Sequence, residues 1–408
     1  MPDPVNSARP ARSSPNVRLF NVKYSPNLGD GLLSECLEAA LIECGADAAT
    51  HSVDLAARTG YSTGAQGRSL KLRVLEALPG AIRPLAVRLP LALAARRSWS
   101  PHYEAGLAGA TCAVIGGGNL LADLDLNFPT KLALAIHASA RRGLPVFIYG
   151  CGVSSGWSGR GLALMHSALA TGAVKAVFLR DERSCAIWDD LFGERHGLPA
   201  ALVRDPGLLA SEVYRPKSAG ADAPVGINIT SQIALAYHAE DAPSPQALDD
   251  WYVALAGGLL AHGHSLALFT NGSPEDRTTL AALRPRIAAL GAGERVQYPE
   301  AGDPAALVAI IAGLRGLAAF RMHAIIAAFS CGVPFLALAW DPKLSSFVDS
   351  VGQHGWLCRV TSQSPADAAE LLIRAMDEGI PPEARQRVVA EARQGVGQLF
   401  AAIGEALA

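Results

Sequence analysis

An arginine and a histidine stand two residues apart in the stretch Ala319-Phe320-Arg321-Met322-His323-Ala324. A guanidinium is a permanent cation with a planar fork of donors. An imidazole changes charge near neutrality unless its surroundings move it. Together, Arg321 and His323 suggest anion binding coupled to proton transfer. The neighbouring residues predict where they stand. An apolar strand runs out through Phe320, a short helix follows and is stopped by Gly332, and a second buried strand covers Pro334–Ala339. In open parallel α/β sheets, ligands bind at this rim, outside the carboxyl ends of the strands.

Other predicted strand exits carry related chemistry. Val17–Lys23 reads as a first strand, followed by the turn Asn27-Leu28-Gly29-Asp30-Gly31, with Asp30 placed to cap a helix that runs to Cys44. Asn27 and Asp30 then read either as turn and cap or as groups facing a ligand at the first strand–helix junction. The strand Thr111–Ile115 runs into Gly116-Gly117-Gly118-Asn119, and Pro145–Tyr149 runs into Gly150-Cys151-Gly152. Glycines at such exits let backbone N–H groups approach an anion without an intervening side chain. Neither loop fits the GxGxxG fingerprint or the GxxxxGK[ST] phosphate loop, so neither supports a dinucleotide or a P-loop nucleotide. Val174–Leu179 delivers Arg180 to the same rim, as a grip for carboxylate or phosphate or as one half of a salt bridge. Leu202–Pro206 brings Asp205, and Ser265–Thr270 brings Asn271. Asp341-Pro342-Lys343 reads as a helix start with Asp at the cap and Pro at N1, or as a rim loop in which Lys343 supplies a point charge.

The elements that must position these groups follow from length and pattern. A chain of 408 residues is too long for one ordinary core, and two domains are expected. A linker over 215–224 separates two series of alternating strands and helices. The second series has strands at Val225–Ile229, Ser265–Thr270, Arg295–Tyr298, Gly316–Phe320, Pro334–Ala339 and Trp356–Val360. The expected fold is α/β: two Rossmann-like, doubly wound domains facing each other across a cleft. The divisions are a disordered lead-in over 1–16, an N-terminal domain over 17–215, a C-terminal domain over 216–360, and helices over 361–408. The last of these helices is expected to pack back on the first domain.

Composition narrows the function. A formal net charge of −2 offers nothing for nucleic acid to bind. Seven cysteines without a CxxC pair read as reduced thiols in a cytoplasmic protein, and the histidines form no metal-ligand pattern. The first fifteen residues lack the apolar core of a signal peptide, and no apolar run reaches membrane-span length. Within a less regular segment, 58–104, the stretch 68–97 carries seven basic residues and one acid. It reads as surface helices broken by prolines, or as a basic amphipathic face resting on the inner surface of a membrane.

Together the loops resemble the polysaccharide pyruvyl transferase family over roughly residues 17–360. The matching segments are NLGD, IGGGNLL, YGCGV, LRDERS, VRDP and, most specifically, FRMHAIIAAFSCGVPFLALAWDPK. Met322 departs from the pattern, where Leu is more usual. The resemblance implies a GT-B-like enzyme that uses phosphoenolpyruvate to place a pyruvate ketal on a sugar of a cell-surface glycan or its lipid-linked precursor, releasing phosphate and needing no cofactor or metal. On that implication His323 protonates the enol carbon, and Arg321 and Arg180 hold the donor's carboxylate and phosphate. Lys343, Asn27, Asn119 and the glycine loops assist, and Asp30 serves as base or acceptor-positioning group. Acceptor identity is expected to lie in the N-terminal domain and its insertion. A glycosyltransferase using a nucleotide-sugar donor is the competing expectation, and a non-catalytic glycan-binding protein a third. The former calls for an acidic grip on a ribose, and no Glu-x7-Glu pair flanks Gly332-Val333-Pro334.

Overall fold

The computed structural model describes residues 14–61, 90–123, 125–220, 222–236, 243–339 and 342–408. Two six-stranded, wholly parallel sheets organise the chain. The first contains β1 (Val17–Asn21), β2 (His51–Asp54), β3 (Cys112–Gly116), β4 (Val146–Cys151), β5 (Val174–Leu179) and β6 (Ala200–Leu202), in the order β2-β1-β3-β4-β5-β6. The second contains β7 (Val225–Asn228), β8 (Leu266–Phe269), β9 (Val296–Gln297), β10 (Gly316–Ala319), β11 (Phe335–Ala339) and β12 (Leu357–Arg359), in the order β12-β11-β10-β7-β8-β9. The central strands are continuous buried runs, such as Cys112-Ala113-Val114-Ile115-Gly116 and Phe335-Leu336-Ala337-Leu338-Ala339. Strands covered by helices on both faces need such runs.

Both orders reverse once, and the reversals position the site. In the first sheet β1 leads outward to β2, and β3 then returns to the other side of β1. In the second, β7 leads outward through β8 and β9, and β10 returns beside β7. Connections leave such a pair of strands in opposite directions and open a crevice between their ends. The two crevices face each other. Asn27, Asp30 and Gly117–Asn119 come from the first, and Asn228–Ser231 and Arg321–His323 from the second.

Helix α1 (Leu28–Glu43) buries Leu32, Leu33, Cys36, Leu37, Ala40 and Leu41, the three-and-four spacing of one helical face. The capping expectation needs correcting here. Asn27 is the cap, accepting from Gly29 N, while Asp30 lies within the first turn. Helix α2 (Pro274–Ala288) follows β8, and α3 (Met322–Cys331) follows β10. From Ala324 to Ser330, α3 is buried on every side because it lies between its own sheet and the first domain. One core cluster therefore includes Leu32 and Leu37 of α1 together with Ile325, Ile326, Leu307 and Ile311 from the second half. Helix α4 (Pro342–Ser350) follows β11. The last helix, α5 (Pro382–Ala406), lies across the end of the first sheet. A Cβ on its Gly395 would sit 2.9 Å from Tyr149 Oη and 3.2 Å from Val203 Cβ.

The segment expected to be an insertion over 58–104 does not extend that far. Trp99 and Tyr103 belong to the core of the first domain, and Tyr103 Oη donates to Leu55 O at 2.7 Å. Most of the basic stretch 68–97, together with Trp340 and Asp341, lies outside the described residues. Among the described residues no helix is long and apolar enough to cross a membrane.

Candidate active site

The N-termini of α1 and α3 meet at the mouth of the cleft. Leu28 N donates across it to Asn271 O at 2.8 Å. Gly29 is required there by space: a Cβ would stand 2.7 Å from His323 Cβ and 2.8 Å from its Nδ1. The His323 ring thus lies against bare α1 backbone. Both helix ends add positive partial charge to the space between them, which favours an anion and disfavours an imidazolium.

His323 has a side chain only 11 % exposed, and its Nδ1 is 3.9 Å from Asp30 Oδ1, beyond hydrogen-bond range. Its Nε2 is buried without a hydrogen-bond partner. Burial, followed by the nearby Arg180 and Arg321, lowers its pKa to about 3. This corrects the expectation that it titrates near neutrality. With protein charges alone around it, the imidazole is neutral at pH 7.

Each arginine is braced by buried carboxylate. Arg321, the residue that precedes α3, places Nη2 2.5 Å from Asp276 Oδ2. Asp276 is wholly buried in the first turn of α2, and its Oδ1 accepts from Ser231 N at 2.8 Å. Arg321 Nε is left without a partner. Arg180 is only 5 % exposed, with Nη1 3.3 Å from Asp205 Oδ2 and Nε 3.7 Å from Asp181 Oδ2. Burial pushes the Asp205 carboxyl up, against the opposing pull of Arg180. Arg180, by its place at a strand exit an anion grip or one half of a salt bridge, makes the ion pairs and also lines the cavity described below.

Two of the glycine-loop amides bond within the loops themselves. Gly117 and Gly118 both adopt positive φ, at 83° and 69°. Gly117 N donates to Tyr149 O at 3.0 Å and Gly152 N to Gly118 O at 2.8 Å, so these amides join the two loops to each other. Gly116 closes β3, where a Cβ would stand 2.8 Å from Leu37 Cδ2. Gly150, with φ of 64°, lies against Pro206. Gly152 makes room for two side chains: a Cβ there would stand 2.8 Å from Arg180 Nη2 and 3.1 Å from Asn119 Oδ1. The loops shape the wall of the site.

Asn119 Nδ2 donates to Ser154 Oγ at 3.3 Å, and Lys343 Nζ reaches the same oxygen at 3.5 Å from the opposite domain. A cavity of ≈ 190 Å³ lies among Asn27, Asp30, Asn119, Arg180, Arg321, His323 and Lys343, with Asn271 in its wall. Of ten buried side-chain polar atoms without a hydrogen-bond partner among the described residues, six belong to this cavity or the residues directly behind it. They are on Asn119, Asn228, Thr230, Asn271, Arg321 and His323. Proteins rarely leave such atoms unpaired, so their concentration here marks a polar space that ordered water or a polar ligand fills. Asp276 and Asn228 are the positions at this site that sequence reasoning missed. Among the described residues no three His, Cys, Asp or Glu side chains converge as a metal site.

A wider groove of ≈ 770 Å³ continues from this cavity and shares Arg180, Met322 and Lys343 with it. In comparisons with known proteins, the family described as polysaccharide pyruvyl transferase matches residues 27–342. No curated protein matches in sequence. Solved structures are similar in fold. UDP-GlcNAc 2-epimerase from Neisseria meningitidis, bound to UDP-GlcNAc, is 12% identical with a TM-score of 0.50, over 96% of this chain and 98% of that one. A glycosyltransferase from Rickettsia africae is 10% identical with a TM-score of 0.50, over 97% and 99%. The two-sheet architecture is GT-B-like, as the pattern of elements predicts.

Proposed function

The chain belongs to the polysaccharide pyruvyl transferase family, and from that premise we propose that it transfers the three-carbon unit of phosphoenolpyruvate to two hydroxyls of one sugar. The product is a pyruvate ketal on a polysaccharide or its lipid-linked precursor, with phosphate released. The observation that carries this reading is the ≈ 190 Å³ cavity where two arginines, a lysine and two helix N-termini surround one neutral histidine. It is smaller than the roughly 300–1,000 Å³ of sites for drug-sized ligands, and suits a small, highly anionic donor better than a nucleotide sugar.

The donor's carboxylate and phosphate pair with Arg321 and Arg180, whose remaining N–H groups form planar forks, and Lys343 adds a point charge. Their arrival changes His323. The donor's negative charge offsets the cations that oppose an imidazolium, so its pKa rises and a proton is taken up with the donor. His323 then delivers that proton to the methylene carbon, which becomes a methyl group and leaves an electron-poor carbon bearing carboxylate and phosphate. Attack by one sugar hydroxyl forms the first C–O bond and releases a proton that restores His323. A second hydroxyl forms the other C–O bond as the bond to phosphate breaks, and its proton leaves with phosphate. Asp30, 3.9 Å from His323 Nδ1, stabilises the imidazolium and faces the hydroxyls. The reaction draws on a donor of central metabolism, and seven free thiols suit a reducing compartment, both of which support a cytoplasmic setting.

The test is phosphate release from phosphoenolpyruvate in the presence of a sugar acceptor. His323→Gln is expected to abolish it while leaving donor binding intact. Release at the wild-type rate by His323→Gln would remove the histidine from the chemistry. Turnover of a UDP-sugar instead would favour the glycosyltransferase alternative.

A further inference from the structure

The ≈ 770 Å³ groove beyond the donor cavity has no role in the reading so far. Resting on that reading, we propose that the groove seats the acceptor, and that its occupant is an uncharged hexopyranose at the end of the glycan.

Position comes first. The groove shares Arg180, Met322 and Lys343 with the donor cavity, so a sugar lying in it presents its hydroxyls directly to the donor carbon. The charge balance then identifies the occupant. Four cations and five carboxylates line the groove. Arg180 is held by Asp181 and Asp205, and Arg204 by Glu391 at 2.9 Å. The groove lining as a whole has one more carboxylate than cations and so does not suit a diphosphate or an acidic polymer, whereas three cations face one carboxylate in the lining of the donor cavity.

The wall contributed by α5 has the chemistry of polyol recognition. Gln394 and Gln398 are one turn apart and exposed, and both line the groove. Among the described residues no hydrogen bond from another protein group engages either amide. Each primary amide offers donors and an acceptor together, which matches hydroxyls that do both. Gly395 between them keeps the helix low against Tyr149 and deepens the floor. Half-buried Phe347 on α4 supplies an apolar surface for the C–H face of a pyranose.

The family match ends at residue 342, before Phe347, Gln394 and Gln398. The donor cavity is thus built almost wholly from the matched segment, and one side of the groove from the segment after it. A common donor combined with a chain-specific acceptor calls for this division.

Saturation-transfer NMR on the full chain, with the methyl pyranosides of glucose, galactose and mannose as probes, tests the proposal. Thermal shift with phosphoenolpyruvate runs alongside. The wild type is expected to give a transfer signal with at least one pyranoside. Gln398→Trp, which fills the groove, is expected to lose it, and the pair Gln394→Ala/Gln398→Ala to weaken it at least fivefold. The phosphoenolpyruvate shift is expected to persist in all three proteins. The alanine pair removes only exposed amides and so guards against a folding defect in the tryptophan variant. An absent wild-type signal, or an undiminished signal in the variants, overturns the groove as acceptor site. Loss of the phosphoenolpyruvate shift from the wild type itself overturns instead the donor reading beneath it.

Discussion

The two connected spaces of the cleft are built on opposite principles. The donor cavity is small and cationic. Its residues hang on strand exits of the two facing sheets, with Arg321 and His323 at the switch point of the second, and each arginine is paired with a buried carboxylate. The groove is about four times larger and near charge balance, and exposed or half-exposed side chains of α4 and α5 line one side of it. Binding a small trianion requires preorganised charge, because mobile cations would relax toward water and toward each other. Binding a sugar requires many weak, adaptable hydrogen bonds. The difference assigns proton transfer to the cavity and selectivity to the groove, and substitutions should separate the two.

The sharpest separation is expected at His323. His323→Gln removes the proton carrier and should lower the turnover number at least about 100-fold, with phosphoenolpyruvate and pyranoside binding both retained. Equal loss of binding would show that the ring is structural. Asp276→Asn comes next. It leaves Arg321 beside an amide, and loss of one partner from a buried pair costs about 3 kcal/mol. The expected result is a lower Tm and a KM for phosphoenolpyruvate raised about tenfold or more, with acceptor affinity unchanged. Gly152→Ala should be milder. Its Cβ would stand 2.8 Å from Arg180 Nη2, which must shift and carry the guanidinium out of line. A KM effect confined to the donor supports the partition; an effect on pyranoside binding alone breaks it.

The smallest effect is one of pH. The folded-state pKa of His323, about 3, is below that of an exposed histidine. The neutral form therefore contributes stability that is complete above about pH 6.5 and is lost progressively as pH falls toward 3. His323→Gln lacks this contribution, so the Tm difference between variant and wild type should change across that window and be flat above it. Donor binding has the opposite sign. Because the donor raises the pKa, its affinity should increase as pH falls through the range between the free and bound values.

Much of the scaffold was legible in the sequence because parallel strands buried on both faces are continuous apolar runs. Strand β2 was not, since His51 and Ser52 at its start are polar and partly exposed. Arg321, His323 and Arg180 were legible because a charged residue directly after an apolar strand must stand at the rim. Asp276 was hidden. It reads as an ordinary acid in a helix's first turn, and its partner Arg321 is 45 positions away on another strand exit. The cap at Asn27 was misassigned to Asp30 because both are capping types three residues apart. The low pKa of His323 depends on burial and on arginines from both domains, which no local pattern encodes. The acceptor expectation pointed to the insertion because that segment is the least regular. The groove has residues 180–183 and 202–208 of the N-terminal domain on one side and residues of α4 and α5 on the other, which only the folded chain brings beside Arg180.

The central claim is that the cavity around His323 is a phosphoenolpyruvate site. Thermal-shift titration of the wild-type chain with phosphoenolpyruvate and, separately, with UDP-N-acetylglucosamine tests it most directly. The account predicts a saturable rise in Tm with phosphoenolpyruvate, diminished in Arg321→Ala, and none with the nucleotide sugar. A rise with the nucleotide sugar alone would contradict it.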